Sequence, residues 1–149
     1  VSTSKIIKED CANISKEFYD KNKTNYKCNK GDIILRRSGE SIGKVAICEI
    51  DDNLIVSDFS MRLRIKAYNK KFVYYYLRSS FFQFLIQSNR KTLDLHNIYP
   101  SIVEKMIIPK ITDIKQDKIC SLIDKEINFN RNIINKIESF FSDVEKILC

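Results

Sequence analysis

Short apolar segments separated by turn residues dominate the chain between residues 33 and 66, and this pattern predicts strands. The segment that begins at Gly43 is apolar at successive positions, which is typical of a strand buried on both faces. Several short strands in a row predict a small, curled and mostly antiparallel sheet. The predicted strands span residues 33–37, 43–50, 54–57 and 60–66.

The last predicted strand has a period of two that separates charge from apolar surface. Because successive side chains of a strand point to opposite faces, one face is apolar and the other carries three cations. These cations are candidate phosphate contacts, although solvated charges that protect a sheet edge would give the same pattern. The apolar face comprises Met61, Leu63 and Ile65, and the cationic face comprises Arg62, Arg64 and Lys66.

Residues 70–87 change to a helical period. Apolar residues recur there at spacings of three and four, which places them on one stripe of a single helix without glycine or proline. The aromatic members could stack on nucleic-acid bases, but their position on the stripe favours a role in the core. The stripe consists of Phe72, Val73, Tyr76, Leu77, Phe81, Phe84 and Leu85.

The segments around this helix are predicted from their polar and turn residues. Residues 1–30 are polar and are expected to form short helical pieces, and residues 88–92 are predicted to form a polar, basic loop. Pro100 suits the first turn of a short helix that reaches Glu104. Residues 105–109 are predicted to form a final strand that a proline ends.

From Asp113 to Leu148 the chain has neither glycine nor proline, which predicts one long helix of coiled-coil type. Its 36 residues at about 1.5 Å each make roughly 54 Å, whereas a domain of about 112 residues has a radius of gyration near 13 Å. We therefore expect the helix to project and to pair with another helix, rather than to pack wholly on its domain or to fold back. The a and d positions of its heptads are Cys120, Ile123, Ile127, Asn130, Ile134, Ile137, Phe141, Val144 and Leu148.

The net charge divides the chain at the start of this helix. Residues 1–112 contain 20 Lys and Arg against 12 Asp and Glu, a net charge of +8, whereas residues 113–149 contain 6 against 7, a net charge of −1. A basic excess in one part favours a polyanionic partner, nucleic acid first and an acidic membrane second. With 149 residues, 44% of them hydrophobic, the chain suits a domain over residues 1–112 and a helical appendage over 113–149.

Neither a catalytic centre nor a metal site is indicated. The five cysteines form no Cys-x-x-Cys pair, and His96 is the only histidine, so clustered zinc ligands are not expected. There is no glycine-rich phosphate loop and no nucleophile elbow. The sequence also has no membrane-length apolar run or signal peptide, and scattered thiols suit a reducing compartment. We expect a non-catalytic cytoplasmic protein that holds no cofactor and contacts no membrane.

Three segments in a fixed order carry a resemblance to a known family. They are KGDIILRRSG with IGKVAI over residues 30–39 and 42–47, the helical segment 72–88 that ends in a serine, and IIPKI with QDKI over residues 107–111 and 116–119. In this order, and followed by the long helix, they resemble the specificity subunits of type I restriction-modification systems. The resemblance covers residues 30–148.

The resemblance implies a partner set and an architecture. Such subunits carry two target-recognition domains, each reading half of a split DNA site, and two long helices separate them as an antiparallel coiled coil. Methyltransferase subunits dock there and bring S-adenosylmethionine, and a motor-nuclease subunit can join them. This chain has one such domain and one helix, and Ile111 replaces a proline of the family pattern. We therefore expect a fragment, the product of a truncated gene, or a half-subunit that pairs through its helix with a second copy or half-subunit.

Double-stranded DNA is the expected ligand of the basic domain. Polar side chains on two loops are expected to read base edges, while cations hold phosphates in a sequence-independent way. The first loop offers Arg36, Arg37, Ser38, Ser41 and Lys44, and the second offers Asn89, Arg90, Lys91 and Thr92. The phosphate contacts are expected to include Arg62, Arg64 and Lys66.

Two other functions fit the same sequence. A helical assembly or scaffolding protein would use the long helix and carry an incidental basic face. The DNA-reading portion of a fused restriction-methylation enzyme would carry the same domain. Retention of DNA at moderate salt separates the scaffold from both DNA-binding alternatives.

Overall fold

The computed structural model describes residues 5–6, 11–92 and 97–148, with side chains for residues 6, 11–89 and 97–141. Its strands are β1 (Lys5–Ile6), β2 (Lys27–Cys28), β3 (Ile33–Arg36), β4 (Val45–Cys48), β5 (Leu54–Ile55) and β6 (Ser60–Leu63). Its helices are α1 (Lys16–Tyr26), α2 (Lys70–Leu77), α3 (Ser80–Thr92), α4 (Pro100–Val103) and α5 (Asp113–Leu148). The predicted α+β class, with a small and mostly antiparallel sheet and a long final helix, is confirmed.

The main sheet has four strands in the order β1-β4-β3-β6. Strand β3 is antiparallel to both of its neighbours, so that Leu35 lies opposite Val45 on one side and Met61 on the other. Strand β1 pairs in parallel with β4 at the edge. A second sheet of two strands pairs β2 with β5.

One face of the main sheet forms the core together with helices α2 and α3. Alternation along β3 places Ile33 and Leu35, both fully buried, on this face, while Ile34 and Arg36 lie on the other. A fully buried aliphatic side chain contributes roughly 1.5–3 kcal/mol through loss of apolar contact with water. The core also contains Val45, Met61, Phe72, Val73, Leu77, Phe82, Ile86, Ile98 and Cys120.

The other face of the sheet is covered by α1 and the small sheet. The Ser15 hydroxyl caps α1 by accepting a hydrogen bond from the Phe18 backbone N–H. Among the eleven described residues of α1, none is fully buried, so apolar burial alone does not hold this helix in place. The short helical pieces predicted for residues 1–30 are thus one helix, flanked in the described part of that segment by two short strands.

The prediction of one helix over residues 70–87 was wrong, because the chain turns at Arg78 and Ser79 between α2 and α3. The Ser79 hydroxyl accepts a hydrogen bond from the Phe82 N–H and so starts a new helix without any glycine or proline. This restart shifts the buried face of α3 to Phe82 and Ile86, and the predicted stripe residues Phe81 and Phe84 are 60% and 67% exposed. Residues 88–92, predicted as a loop, are the last turns of α3.

Two predictions after α3 have opposite outcomes. The short helix that begins at Pro100 is confirmed as α4. The strand predicted over residues 105–109 was wrong, since all five residues are described and none lies in a strand. The Ile107 carbonyl accepts a hydrogen bond from the Tyr76 hydroxyl at 2.6 Å instead of pairing with a strand, and Met106 and Ile108 pack against the core as coil.

Helix α5 has the predicted bounds, and its first turns anchor it to the domain. Gln116 and Cys120 are buried, and the Gln116 side chain accepts a hydrogen bond from the Asn69 backbone N–H and donates one to the Ile111 carbonyl. From residue 128 to residue 141 every side chain is exposed. The helix therefore projects beyond the domain, as its length predicts, while its coiled-coil pairing stays a prediction.

The buried amide of Gln116 generates a first test. In the variant Gln116→Leu the Asn69 N–H and the Ile111 carbonyl lose their buried partner, and each unsatisfied group costs about 1–3 kcal/mol. We expect the free energy of unfolding, measured by urea denaturation, to fall by about 2 kcal/mol or more. The control Lys118→Leu places the same side chain on the exposed side of the same helix turn, and an equal loss in both variants would contradict this role.

Candidate nucleic-acid interface

The loop between β3 and β4 is closed tightly by its own backbone. The Gly43 N–H donates to the Arg36 carbonyl at 2.9 Å, and the Arg36 N–H donates to the Lys44 carbonyl at 2.9 Å. Gly43 has φ +87°, a conformation that suits glycine, and Ile42 is buried beneath the loop. The loop therefore presents Ser41 half-buried and Lys44 exposed from a fixed backbone.

Helix α3 packs against this loop. The Gln83 side chain donates to the Gly43 carbonyl at 2.8 Å. A Cβ atom at Gly43 would lie 3.0 Å from Gln83 Oε1 and 3.2 Å from Ile86 Cγ2, so the close approach of helix and loop also requires glycine. The first predicted DNA-contacting segment thus rests on the helix that carries the second.

The segment after α3 returns to the same loop. Ser38 forms an isolated antiparallel bridge with Asn97, and the Ile98 N–H donates to the Arg37 carbonyl at 2.8 Å. The chain that follows the second predicted segment, residues 89–92, therefore contacts the first segment at Arg37 and Ser38. Of the second segment, Asn89 is half-buried and donates to the Leu85 carbonyl at 2.8 Å, while the side chains of Arg90, Lys91 and Thr92 lie outside the described residues.

Arg36 and Arg37 contact other parts of the protein around this loop. The Arg36 Nε donates to the Ser38 carbonyl at 3.1 Å, and its guanidinium lies over the Phe59 ring, 5.3 Å from the centroid. The Arg37 Nε donates to the Asp58 carbonyl at 2.6 Å. Each guanidinium has five N–H donors, so these contacts orient the two cations and are compatible with a further contact to a phosphate or a base.

Arg62 and Arg64 have an internal role that the alternation of β6 did not predict. The Arg62 guanidinium donates to the Lys27 carbonyl and, at 3.2 Å, to the Asn25 carbonyl, at the C-terminal end of α1. A cation at this end of a helix is stabilised by the helix dipole. Arg64 lies 3.6 Å from the buried Asp32 carboxylate and 3.5 Å from the Lys27 carbonyl. The third predicted phosphate contact, Lys66, lies exposed beyond the end of β6.

Arg62 lies on the predicted cationic face, opposite Ile34, but the strand predicted over residues 60–66 ends at Leu63, so Arg64 and Lys66 lie beyond β6. The packing of α1 near Arg62 is a tertiary contact that strand alternation does not predict. The same packing creates a groove that the sequence analysis missed. Phe18, Asn22 and Tyr26 line it from successive turns of α1, and Phe59 lines it from the loop before β6. The available signal was the spacing of four between these α1 residues, which places them on one helix face.

Three cysteine thiols, those of Cys28, Cys48 and Cys120, are buried and form no disulfide bond in the part of the chain that the structure describes. Burial, followed by a hydrogen bond with the Cys48 thiol, raises the pKa of Cys28 to about 12. Burial likewise raises the pKa of Cys120. These two thiols are therefore protonated near neutral pH, which suits structural and not nucleophilic cysteines.

The predicted pairing face of α5 is buried near the N-terminal end of the helix and exposed over residues 128–141. Cys120 belongs to the domain core, so its assignment to the pairing face was wrong: α2 already covers it. Ile123 and Ile127 are half-buried, whereas Asn130, Ile134, Ile137 and Phe141 are exposed. The side chains of Val144 and Leu148 lie outside the described residues.

Polar contacts hold the N-terminal turns of α5 against α2. The Tyr75 hydroxyl donates to Asp124 at 2.5 Å, and the Lys71 ammonium lies 2.6 Å from the same carboxylate. Burial and this hydrogen bond raise the pKa of Tyr75. The Asn69 side chain donates to Asp117 at 2.7 Å, so that α2 contacts three successive turns of α5.

Comparison of the chain with protein-family models, with curated proteins and with solved structures found no match. Among the described residues, no group of three or more His, Cys, Asp or Glu side chains is arranged to hold a metal ion. The helices within the described ranges include none with the length and apolar character that crossing a membrane requires.

The internal role of Arg62 is open to a direct test. Arg62→Ala removes the cation that binds the C-terminal carbonyls of α1, and hydrogen bonds to charged groups contribute about 1.5–3 kcal/mol. We expect the free energy of unfolding to fall by about 1.5 kcal/mol. Relative to the unmodified chain, amide hydrogen exchange should accelerate more in α1 than in α2. Lys66→Ala removes an exposed cation near the same strand and should change stability by less than about 0.5 kcal/mol. Unchanged exchange in α1 of the Arg62 variant would refute this role.

Proposed function

We propose that this chain recognises double-stranded DNA as part of the specificity subunit of a type I restriction-modification system. In this proposal the domain over residues 1–112 contacts DNA, and α5 serves as spacer and docking element for methyltransferase subunits that carry S-adenosylmethionine. The observation that carries the proposal is the contact between Gln83 of α3, the helix that carries the second expected segment, and the Gly43 carbonyl in the loop of the first. The chain itself supplies recognition and no catalysis.

The side chains of this loop suit two kinds of contact with DNA, one to phosphates and one to base edges. Lys44 is exposed beside the loop and suits a phosphate, whose contact is sequence-independent and sensitive to salt. Ser38 and Ser41 carry hydroxyls that can donate to or accept from base edges in the major groove. Because the loop backbone is closed by hydrogen bonds and held by Gln83, these groups need little ordering on binding.

The exposed length of α5 supports the docking role. Over residues 128–141 an apolar face stands in solvent, and large apolar patches of this kind mark interaction sites. The acidic balance of residues 113–149 makes this helix unsuited to DNA. The face comprises Phe129, Ile133, Ile134, Ile137, Phe140 and Phe141.

One observation favours the scaffold alternative. Arg62 and Arg64, two of the cations expected to hold phosphates, are bound to carbonyls and a carboxylate of the protein itself. Fewer cations are then available to DNA than the sequence predicts, whereas the apolar face of α5 is exposed over residues 128–141. In that case α5 would be the functional element and the basic face incidental.

DNA binding separates the two functions. We expect the chain to bind mixed-sequence duplex DNA at low salt, with an affinity that falls as salt rises by a log–log slope of about −0.9 for each phosphate contacted. Lys44→Ala should reduce the magnitude of this slope by about one contact. Fluorescence anisotropy titrations over a salt series measure both quantities.

Lys136→Ala is the matched control, since it removes an exposed lysine from the projecting helix. Its slope should equal that of the unmodified chain. Duplex binding that does not respond to salt, or the absence of any duplex binding, would eliminate the DNA-recognition proposal.

Helix pairing gives a separate test. In the absence of other subunits we expect the chain to self-associate through the exposed length of α5, because pairing removes apolar side chains from water. Ile134→Glu places a charge on the pairing face and should shift the chain to monomer in sedimentation equilibrium experiments. Asn132→Glu adds the same charge at an exposed position outside the a and d series and should leave association unchanged. A wild-type chain that stays monomeric at all concentrations would contradict self-association.

A further inference from the structure

A groove of about 790 Å³ opens between α1, the small sheet and the face of the main sheet that is turned away from the core. Its floor includes Ile34 of β3, and its walls include Phe18 and Tyr26 of α1 and Phe59. The three aromatic side chains are exposed although they border one cavity. An exposed aromatic lining of this extent marks an interaction site more often than a free surface.

The groove reaches the candidate DNA interface. Arg36 ends β3 and lines the groove, and its guanidinium lies over the Phe59 ring while its Nε donates to the Ser38 carbonyl. The Phe59 carbonyl accepts a hydrogen bond from the Arg37 N–H at 2.9 Å. The aromatic wall and the first DNA-contacting loop therefore share a backbone junction and a cation.

We propose that this groove holds an unstacked nucleobase of DNA bound at the neighbouring loop. Aromatic rings stack on the face of any base, and an arginine beside them adds attraction for the ring and for a phosphate. The groove is also rimmed by polar groups, among them Asn22 and the Asp58 carboxylate, which can meet the polar edge of a base. The inference rests on the proposed function, because the net charge of +8 over residues 1–112 is what draws a nucleic acid to this surface.

A nucleobase accounts for the lining better than an aliphatic or peptide segment does. Of the four large apolar side chains that are exposed along the described lining, Ile14 is aliphatic and the other three are aromatic, and the Arg36 guanidinium lies over one of these rings. Stacking depends little on base identity, so the test does not require the target sequence. A base must leave its helical stack to enter, and an extrahelical or single-stranded base does so at lower cost.

The experiment uses the full chain and oligonucleotides of one sequence, either fully paired, with a single extrahelical nucleotide, or single-stranded. Each carries 2-aminopurine at the tested position, whose fluorescence reports stacking. We expect the chain to bind the bulged duplex about tenfold more tightly than the paired duplex, which corresponds to one base–aromatic stack. The 2-aminopurine fluorescence should change when the bulged duplex binds.

Phe59→Leu keeps an apolar side chain and removes the aromatic ring, so it tests stacking with little risk to folding. It should abolish the preference for the bulged duplex. The matched control is Phe81→Leu, because Phe81 is 60% exposed on α3, outside the groove, and Phe59 is 59% exposed in the groove. The control should keep the preference, and Phe18→Leu should reduce it.

The outcomes distinguish this inference from the proposed function. Salt-dependent binding to paired duplex, without any preference for the bulge, would overturn the groove proposal and leave DNA recognition intact. Equal effects of Phe59→Leu and Phe81→Leu would also overturn it. A chain that binds an apolar peptide in the groove, and leaves the 2-aminopurine signal unchanged, would refute the nucleobase in favour of a protein segment. Failure to bind any of the oligonucleotides would overturn both proposals.

Discussion

The position of the long helix depends on the hydrogen bonds of the buried Gln116 side chain. Its amide joins the start of α2, through the Asn69 N–H, to the coil before α5, through the Ile111 carbonyl. A buried amide is costly unless its donors and acceptors are satisfied, so the geometry that satisfies it is strongly preferred. The helix consequently leaves the domain in one direction, and its apolar face beyond residue 128 is held in solvent.

The two faces of the main sheet are stabilised by different interactions. The core face buries aliphatic and aromatic side chains against α2 and α3. The opposite face holds α1 through Arg62 and Arg64, which bind carbonyls near the end of that helix and the Asp32 carboxylate. Since none of the described α1 side chains is fully buried, this polar attachment leaves space beneath the helix. The groove follows from that space.

The sequence predicted the elements whose pattern is local and missed those that depend on a partner. Helix α5 was bounded correctly because an uninterrupted apolar period without glycine or proline is specified by the helix itself. The break after Leu77 was missed because a serine cap and the contact between the Tyr76 and Phe82 rings produce it. Residues 105–109 have a strand-like composition, but a strand also needs a neighbour, and the Tyr76 hydroxyl binds the Ile107 carbonyl instead. In the candidate interface, the loop was predicted from the turn residues between two apolar segments, whereas its junction with Asn97 is a long-range contact.

Arg36 connects the loop, the sheet and the groove, and this has consequences for how the site can work. As the last residue of β3 it follows the register of the sheet, which fixes its side chain on the face opposite the core. Its guanidinium is then positioned by the Ser38 carbonyl on one side and by the Phe59 ring on the other. A phosphate or base that engaged this cation would therefore act on the loop and on the aromatic wall together. Substitution of Arg36 would disturb both, so the contribution of the groove is isolated by the Phe59 ring and the contribution of the loop by Lys44.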